Sequence, residues 1–312
     1  MDGTGIDPTE LWTLLGFPGG TSPLAGGESV DSVPMAGQTV EEIRLTTQAG
    51  AIPGTLCRPD GAGPFPAIVY CHAHGNRYDI GRRELLEGRP ALQDPPYGPL
   101  LAAQGYVVLC IDVAGFGERQ ADGAESALAK AALWRGRTLF GGMLADLSAA
   151  LDYLCGRPDV DTARIATFGI SMGATHAYWL AALDKRIAAA AHLCVFSNIA
   201  GLIEAGGHDL HGIYMTVPGL LNRCDMGDVA ALVAPRPQLV GVGATDPLTP
   251  PGALEPALAA LRDAYAEAEL SDRLTLLVSR DTGHVETAEM REAVLAFLDR
   301  SIGQSPSGRM SL

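Results

Sequence analysis

The feature that most restricts the fold is a regular alternation of short apolar runs with segments of helical periodicity. The apolar runs are FPAIVYCHA (65–73), GYVVLCIDV (105–113), ARIATFGIS (163–171), RIAAAAHLCV (186–195), RPQLVGVGATD (236–246) and DRLTLLVSR (272–280). Helical patterns occupy about 94–104, 130–155, 171–183, 252–268 and 287–301. A short run without polar alternation is typical of a strand buried on both faces. The alternation therefore predicts an α/β protein with a mostly parallel central sheet and helices on both faces.

The chain ahead of these runs has a different pattern. Residues 1–39 are rich in Gly, Pro and Ser, and we expect them to form an N-terminal arm packed on a larger body. The stretches TVEEIRLTT (39–47) and AIPGTLCRP (51–59) alternate polar and apolar residues around a turn at Ala49–Gly50. This pattern predicts an antiparallel hairpin at the start of the main domain.

The main domain is predicted to span residues 40–303, followed by a flexible tail at 304–312. About forty residues between the fourth and fifth apolar runs, 196–235, contain no clear strand. Connections of this length are commonly functional, so we interpret 196–235 as a lid-like insertion.

Composition excludes several classes of function. The chain has 312 residues and a formal net charge of −14, which disfavours nucleic acid and anionic membrane as partners. No run of about 18 apolar residues is present, and no basic segment with an apolar core opens the chain. The six cysteines include no C-x-x-C pair, which is typical of a reduced, cytoplasmic protein. Neither of the two lysines belongs to a phosphate-binding loop and no G-x-G-x-x-G follows a strand, so no cofactor is expected.

The third apolar run ends in Gly169-Ile170-Ser171-Met172-Gly173, which matches the G-x-S-x-G nucleophile elbow. The motif requires a strand before the serine and a helix after it, and both patterns are present. In such a turn the serine adopts strained backbone angles that raise its hydroxyl above the sheet. Side chains two residues away on either side would collide with neighbouring backbone, which explains the glycines. We therefore predict that Ser171 is a nucleophile.

A serine hydroxyl needs a base in hydrogen-bond reach and an acid that orients the base. His284 follows the sixth apolar run, and Asp246 ends the fifth, so both are expected at the carboxyl edge of the sheet with Ser171. The chain order Ser171, Asp246, His284 is that of α/β-hydrolases. Among competing acids, Asp281 lies three residues from His284, whereas Asp225 and Asp228 follow no strand.

The oxyanion of an acyl-transfer intermediate needs two donors. We predict the backbone N–H groups of Met172, next after the nucleophile, and of Asn76, in the loop after the first apolar run. His74 is expected to brace that loop. His72 and His74 share a strand face, but no third ligand accompanies them, so no metal is predicted.

Three further features have open or minor roles. His208 and His211 could form a ligand pair, but we interpret them as polar residues of the insertion. Arg119 could reach substrate. Arg82, Arg83 and Glu84 are expected to form an exposed ion-pair cluster.

Several motifs together resemble a known family. They are YCHAHGN…IGRREL, GYVVLCIDVAGFGER, FGISMGA, VPGLLNRCDMGDVAALVAPRPQLVGVGATD and GHVETAEMREAVLAFL, spread over about 40–302. The set is similar to α/β-hydrolases of the dienelactone hydrolase-like and acetyl xylan esterase-like branch. The resemblance implies an α/β-hydrolase fold, serine esterase activity on small acyl esters, and the roles given above to Ser171, Asp246, His284 and the loop at Asn76. Dienelactone hydrolases carry a cysteine at the position of Ser171, and the HGGG loop of lipase-like esterases is absent.

The sequence thus predicts a metal-independent serine carboxylesterase that acts on short-chain, acetyl-like esters through a Ser-His-Asp triad. Its expected partner is a small-molecule ester, and the oligomeric state and the natural alcohol part stay open. Two alternatives remain. One is a peptidase or amidase with the same triad, although a prolyl peptidase of this fold usually brings a large extra domain. The other is a non-hydrolytic binding protein on a hydrolase scaffold.

Overall fold

A computed structural model describes residues 5–303; the first residues of the predicted arm and the predicted tail at 304–312 lie outside them. Nine strands form one sheet in the order β1-β2-β3-β5-β4-β6-β7-β8-β9 within this range. The strands are β1 (Gly26–Met35), β2 (Gln38–Thr47), β3 (Gly50–Pro59), β4 (Phe65–Cys71), β5 (Val107–Ile111), β6 (Val160–Ile170), β7 (Ile187–Leu193), β8 (Gln238–Gly243) and β9 (Leu274–Ser279).

The sheet combines an antiparallel and a parallel part. Strands β1, β2, β3 and β5 pair antiparallel, and β5, β4, β6, β7, β8 and β9 pair parallel. The predicted hairpin corresponds to β2 and β3, with Thr47 opposite Gly50. The mostly parallel sheet and the N-terminal hairpin predicted from the sequence are confirmed.

Helices cover both faces of the sheet, as predicted. They are α1 (Pro8–Leu14), α2 (Glu84–Glu87), α3 (Tyr97–Ala103), α4 (Glu125–Trp134), α5 (Leu139–Cys155), α6 (Met172–Leu183), α7 (Ile199–Glu204), α8 (Met226–Ala231), α9 (Pro251–Glu267) and α10 (Ala288–Ile302). Side chains of β4 alternate between two cores: Val69 packs with α5 and α6, whereas Tyr70 packs with α3 and α10. Both faces of the central strands are thereby buried, which explains their continuous apolar sequence.

The structure differs from the sequence prediction in three elements. The predicted arm contributes α1 and the edge strand β1, which pairs with β2 and continues the sheet. The pattern at 130–155 is two helices, because Gly136 has φ +69° and the Thr138 hydroxyl caps α5 by accepting a hydrogen bond from the Gly141 amide. Strand β9 is at the sheet edge and is only half-buried, so its description as a fully buried strand was wrong.

The 196–235 segment contains no strand, in agreement with the sequence. It contains the short helices α7 and α8 and single 3₁₀ turns at 208–210, 213–215 and 220–222. All six cysteines are free thiols. Among residues 5–303, no helix is both long enough and apolar enough to cross a bilayer.

Candidate active site

Ser171 occupies a sharp turn between β6 and α6. Its backbone has φ 59° and ψ −125°, a positive φ that non-glycine residues rarely adopt. A Cβ at Gly173 would overlap the Cys71 carbonyl oxygen, and a Cβ at Gly169 would overlap the carbonyl of Gly173. The two glycines thus allow β4, β6 and α6 to approach closely, and the strained turn raises Ser171 at the carboxyl edge of the sheet.

The structure brings together the three side chains that the sequence singled out. His284 Nε2 lies 2.8 Å from Ser171 Oγ, and His284 Nδ1 lies 2.7 Å from Asp246 Oδ2. Asp246 is buried, and its other oxygen, Oδ1, accepts a hydrogen bond of 2.9 Å from the Leu248 amide. Both carboxylate oxygens are therefore engaged, and the imidazole bridges a carboxylate and a hydroxyl. This arrangement can remove a proton from the serine hydroxyl.

The competing acids are used elsewhere. Asp225 caps α8 and accepts hydrogen bonds from the amides of Ile199 (2.6 Å) and Ala200 (3.0 Å). Asp228 completes the capping box by accepting from the Asp225 amide. Asp281 is exposed at the surface. None of these three occupies the place that Asp246 has beside His284.

The loop after β4 begins next to the elbow, since a Cβ at Gly173 would lie 3.0 Å from the His72 carbonyl oxygen. Gly75 and Asn76 have φ values of 52° and 53°. The backbone N–H of Asn76, predicted to bind an oxyanion, donates here to Nδ1 of His74 at 3.0 Å. Met172, the other predicted donor, is the first residue of α6, where amides have no acceptor within the helix.

His74 is held by a carboxylate that the sequence analysis did not single out. Its Nε2 donates to Glu125 Oε2 at 2.7 Å, and the Tyr78 hydroxyl donates to the same oxygen at 2.8 Å. Burial raises the pKa of Glu125, but the hydrogen bonds from His74, Tyr78 and the Tyr214 amide outweigh it, and the net pKa is lowered. Burial and the bond to Glu125 raise the pKa of Tyr78 to about 12. Glu125 is therefore an ionised acceptor.

The base of the same loop is fixed by a second buried pair. Glu84 forms an ion pair with Arg89 and accepts hydrogen bonds from the Tyr70 hydroxyl at 2.7 Å and the Ala73 amide at 3.0 Å. Arg89 also donates to the carbonyls of Ala73 and His74. The sequence prediction of an exposed cluster was wrong for Glu84, whose side chain is fully buried.

The prediction of an exposed cluster is also wrong for Arg82. Its guanidinium is largely buried and pairs with the buried Asp112 at 2.6 Å and with Glu118 at 2.5 Å. Arg83 alone is half-exposed, as expected. Arg119 is bound to Asp146 at 2.5 Å, so its guanidinium is used in a buried ion pair.

The loop that carries His284 is anchored through Glu286. Glu286 pairs with Arg291 through two contacts of 2.9 Å and accepts hydrogen bonds from the Tyr97 hydroxyl and the Gln93 amide. Arg291 donates in turn to the carbonyls of Gln93 and Pro95. The Glu286–Arg291 ion pair therefore connects the His284 loop to the segment before α3. Glu286 and Arg291 lie five residues apart in the sequence, but nothing in that spacing indicated the partner segment.

Two cavities are lined by residues of the 196–235 segment. One, of about 780 Å³, lies between the loop at His74 and Asn76 and the turn at Asp209–Ile213. The other, of about 580 Å³, is lined by apolar and polar residues of the 196–235 segment. His211 lines both, its Nε2 lies 3.1 Å from the Leu248 carbonyl oxygen, and burial lowers its pKa. His208 lines the second. Within residues 5–303, no group of three His, Cys, Asp or Glu side chains could hold a metal ion.

Comparisons with known proteins agree with the architecture. The chain is 40% identical over 238 residues to the protein named "Putative hydrolase YtaP" of Bacillus subtilis, covering 76% of this chain and 79% of that protein. An acetyl xylan esterase from Paenibacillus sp. R4 superposes with a TM-score of 0.61 at 21% identity over 96% of both chains. The methylesterase BT1017 gives 0.71 at 23% identity over 96% of this chain and 63% of that one.

The fold and the site define an enzyme of the α/β-hydrolase class. Residues 51–231 match the family model described as X-Pro dipeptidyl-peptidase (S15 family), and the chain belongs to that family. The resemblance to α/β-hydrolases and the prediction of a hydrolytic enzyme are confirmed, and the fold is shared with carboxylic ester hydrolases. The matched residues contain Ser171 and Asn76 but end before Asp246 and His284.

Proposed function

We propose that this protein is a serine carboxylesterase with Ser171 as nucleophile, His284 as base and Asp246 as the orienting acid. The observation that carries the proposal is the continuous line of contacts from Asp246 Oδ2 to His284 and on to Ser171 Oγ, at 2.7 and 2.8 Å. The raised position of Ser171 on its elbow supports it, because the hydroxyl stands where an ester carbonyl can approach.

In the proposed reaction, Ser171 Oγ attacks the ester carbonyl carbon and His284 Nε2 takes the hydroxyl proton. Asp246 stabilises the imidazolium that forms. The tetrahedral intermediate expels the alcohol, which receives that proton from His284. Water then attacks the acyl carbon, with His284 again acting as base. The bond from Ser171 Oγ to the acyl carbon breaks, His284 returns the proton to Oγ, and the acid product leaves. No cofactor takes part in these steps.

The oxyanion of each tetrahedral intermediate is proposed to accept from the N–H groups of Met172 and Asn76. Met172 begins α6, so its amide and the positive end of the helix dipole lie beside Ser171. The Asn76 amide donates to His74 without substrate. When negative charge develops on the substrate oxygen, the Asn76 N–H donates to that oxygen, either together with His74 Nδ1 or in its place.

We propose short acyl groups, acetyl-like, as the preferred acids, with a small-molecule ester as the substrate. The 196–235 segment carries few aromatic residues and no long apolar run. Two proteins of similar fold, an acetyl xylan esterase and a methylesterase, carry names that are consistent with small ester groups. Six free thiols favour a cytoplasmic location.

A peptidase is the second candidate, favoured by the description of the family model. The same serine, histidine and aspartate could open an amide bond. A matched pair of substrates distinguishes the two candidates: 4-nitrophenyl acetate, which releases 4-nitrophenol, and an X-Pro 4-nitroanilide, which releases 4-nitroaniline. The esterase proposal expects rapid ester cleavage and negligible anilide cleavage by the same preparation.

The deciding experiment compares wild-type protein with Ser171→Ala on chromogenic acetate and butyrate esters. We expect kcat to fall by roughly 10⁴–10⁶ in the variant. A serine-directed phosphonate should label the wild type once per chain and leave the variant unlabelled. Equal rates in the two proteins would refute the assignment. In a chain-length series, a maximum at ten or more carbons would contradict the preference for short acyl groups.

A further inference from the structure

Glu125 accepts hydrogen bonds from three parts of the chain. Its Oε2 accepts from His74 at 2.7 Å and from Tyr78 at 2.8 Å, and its Oε1 accepts from the Tyr214 amide at 2.9 Å. His74 and Tyr78 belong to the loop after β4, whereas Tyr214 belongs to the 3₁₀ turn at 213–215 in the 196–235 segment. The Glu125 side chain is only 6% exposed. One buried carboxylate thus connects the loop beside Ser171 to this segment.

The contacts of Glu125 fix the tautomer of His74. An ionised carboxylate only accepts hydrogen bonds, so the proton of the neutral imidazole must be on Nε2. Nδ1 is then an acceptor, and the Asn76 amide lies 3.0 Å from it as a donor. The proton position on His74 therefore determines which way the Asn76 N–H is held.

Packing around His74 reinforces this link. Its ring stacks on Tyr214 at a centroid distance of 5.8 Å and an interplanar angle of 28°, and its edge meets Tyr78 and Phe116. A Cβ at Gly212 would lie 2.9 Å from Glu125 Oε1, so the turn before Tyr214 approaches the carboxylate directly. A shift of the 213–215 turn would have to move Glu125, His74 or both.

We propose that Glu125 is a positioning residue of the esterase: through His74 it holds the Asn76 amide, and through Tyr214 it ties that amide to the 196–235 segment. This inference rests on the proposed function, because Asn76 is assigned there to the oxyanion. Glu125 itself contacts neither Ser171 nor His284 in any hydrogen bond that the structure describes.

The chemistry of Glu125→Gln makes the test specific. A glutamine amide has one accepting oxygen and one donating nitrogen, so it cannot accept from both Tyr214 and His74. If its NH₂ faces His74, the ring must carry its proton on Nδ1, and that proton opposes the Asn76 N–H. If its NH₂ faces Tyr214, the turn is left with two opposed donors. Either way the link between segment and amide is broken while the side chain keeps its size.

The experiment measures kcat and KM of Glu125→Gln on 4-nitrophenyl acetate, and its affinity for a boronic acid that forms a tetrahedral adduct with serine. We expect kcat to fall about 10–100-fold, less than the loss of a whole oxyanion donor. KM should change less than about threefold, because a positioning defect acts on the transition state. Boronate affinity should weaken in proportion to kcat/KM.

The matched control is Glu41→Gln. Glu41 is also a buried carboxylate, with an 8% exposed side chain, and it pairs with Arg58 and Arg157 away from the site. It should lower the midpoint of thermal unfolding but leave kcat unchanged. A kcat of Glu125→Gln equal to that of Glu41→Gln would overturn the proposal.

A double-mutant cycle adds a second criterion. If Glu125 acts through His74, then kcat of His74→Ala and of the double variant His74→Ala/Glu125→Gln should agree within about threefold. If the kcat losses of the two single variants multiplied in the double variant, Glu125 would not act through His74. Activity retained by Ser171→Ala would instead refute the proposed function, so the two failures are distinguishable.

Discussion

Asp246 divides its two carboxylate oxygens between His284 and the backbone. Oδ2 accepts a hydrogen bond from His284 Nδ1 at 2.7 Å, whereas Oδ1 accepts one from the Leu248 amide at 2.9 Å. The backbone contact fixes the plane of the carboxylate, and the carboxylate fixes the imidazole. Because Leu248 is only two residues away, the turn after β8 orients its own acid.

This division makes Asp246→Asn informative. The asparagine oxygen should keep the Leu248 bond, which turns the NH₂ toward His284 Nδ1 and leaves the proton on Nε2, where it cannot accept from Ser171. We expect kcat to fall roughly 10³–10⁴-fold with little change in stability. Steady-state kinetics and thermal melts check this. A variant within tenfold of wild type would show that another acid orients His284.

The close approach at the elbow predicts the effect of Gly173→Ala. The new Cβ would overlap the Cys71 carbonyl oxygen, so β4 and α6 must separate. We expect a loss of about 1–3 kcal/mol in the free energy of unfolding and a fall in kcat, because Ser171 moves with α6. Gly142→Ala, in α5, is the control. No atom lies within 4 Å of its Cβ position, so it should be neutral or gain up to about 1 kcal/mol.

The ion pair of Glu286 and Arg291 predicts that stability and kcat respond differently to substitution. Arg291→Met leaves the fully buried Glu286 carboxylate without its cation, so we expect a loss of about 3–5 kcal/mol measured by urea unfolding. The double variant Glu286→Leu/Arg291→Met should regain much of that stability. It should nevertheless have lower kcat than wild type, because the His284 loop loses its anchor. A double variant with wild-type kcat would show that this pair does not position His284.

Two buried histidines predict a pH dependence of stability. Burial lowers the pKa of His176 and His192 to about 3 in the folded protein, whereas both return to about 6.5 on unfolding. Between pH 3 and pH 6.5 the unfolded chain therefore binds more protons than the folded protein. Their contribution is fully present above pH 6.5 and is lost as pH falls toward 3, by up to about 1.4 kcal/mol per pH unit for each.

His176→Phe isolates one of the two contributions. The His176 ring stacks on Phe140 at 5.3 Å, so a phenyl ring suits the site. The difference in unfolding free energy between wild type and variant should shift in favour of the variant between pH 7 and pH 5. If the unfolding free energies of wild type and variant changed with pH in the same way over that range, the prediction would be contradicted. A histidine with the same pKa in the folded and unfolded states adds no pH dependence to stability.

Local patterns in the sequence were sufficient for the framework. The period of apolar residues reports which faces of a strand are buried, so β4 to β8 could be predicted from their own residues. The elbow at Ser171 is equally local, because its steric demands fall on Gly169 and Gly173. That Asp246 and His284 lie at the same edge of the sheet as Ser171 followed from the rule that parallel strands of one sheet end at one edge.

The sequence did not indicate which charged residues would meet. Glu125 and His74 are 51 residues apart, and nothing near either one distinguishes this glutamate from the exposed ones. Strand β1 was missed for a related reason: its side chains are mostly exposed, and only pairing with β2 makes it a strand. Glu84 and Arg82 were misplaced at the surface because a charged run has the same sequence signature whether or not partners bury it.

The chain by itself therefore determined the alternating architecture, the strained serine and the edge at which its partners lie, since these depend on periodicity and on the sterics of adjacent residues. Tertiary structure alone decided the buried pairs that hold the loops of Asn76 and His284. A hydrogen bond or ion pair between distant residues forms only where folding has placed both groups and removed the water between them.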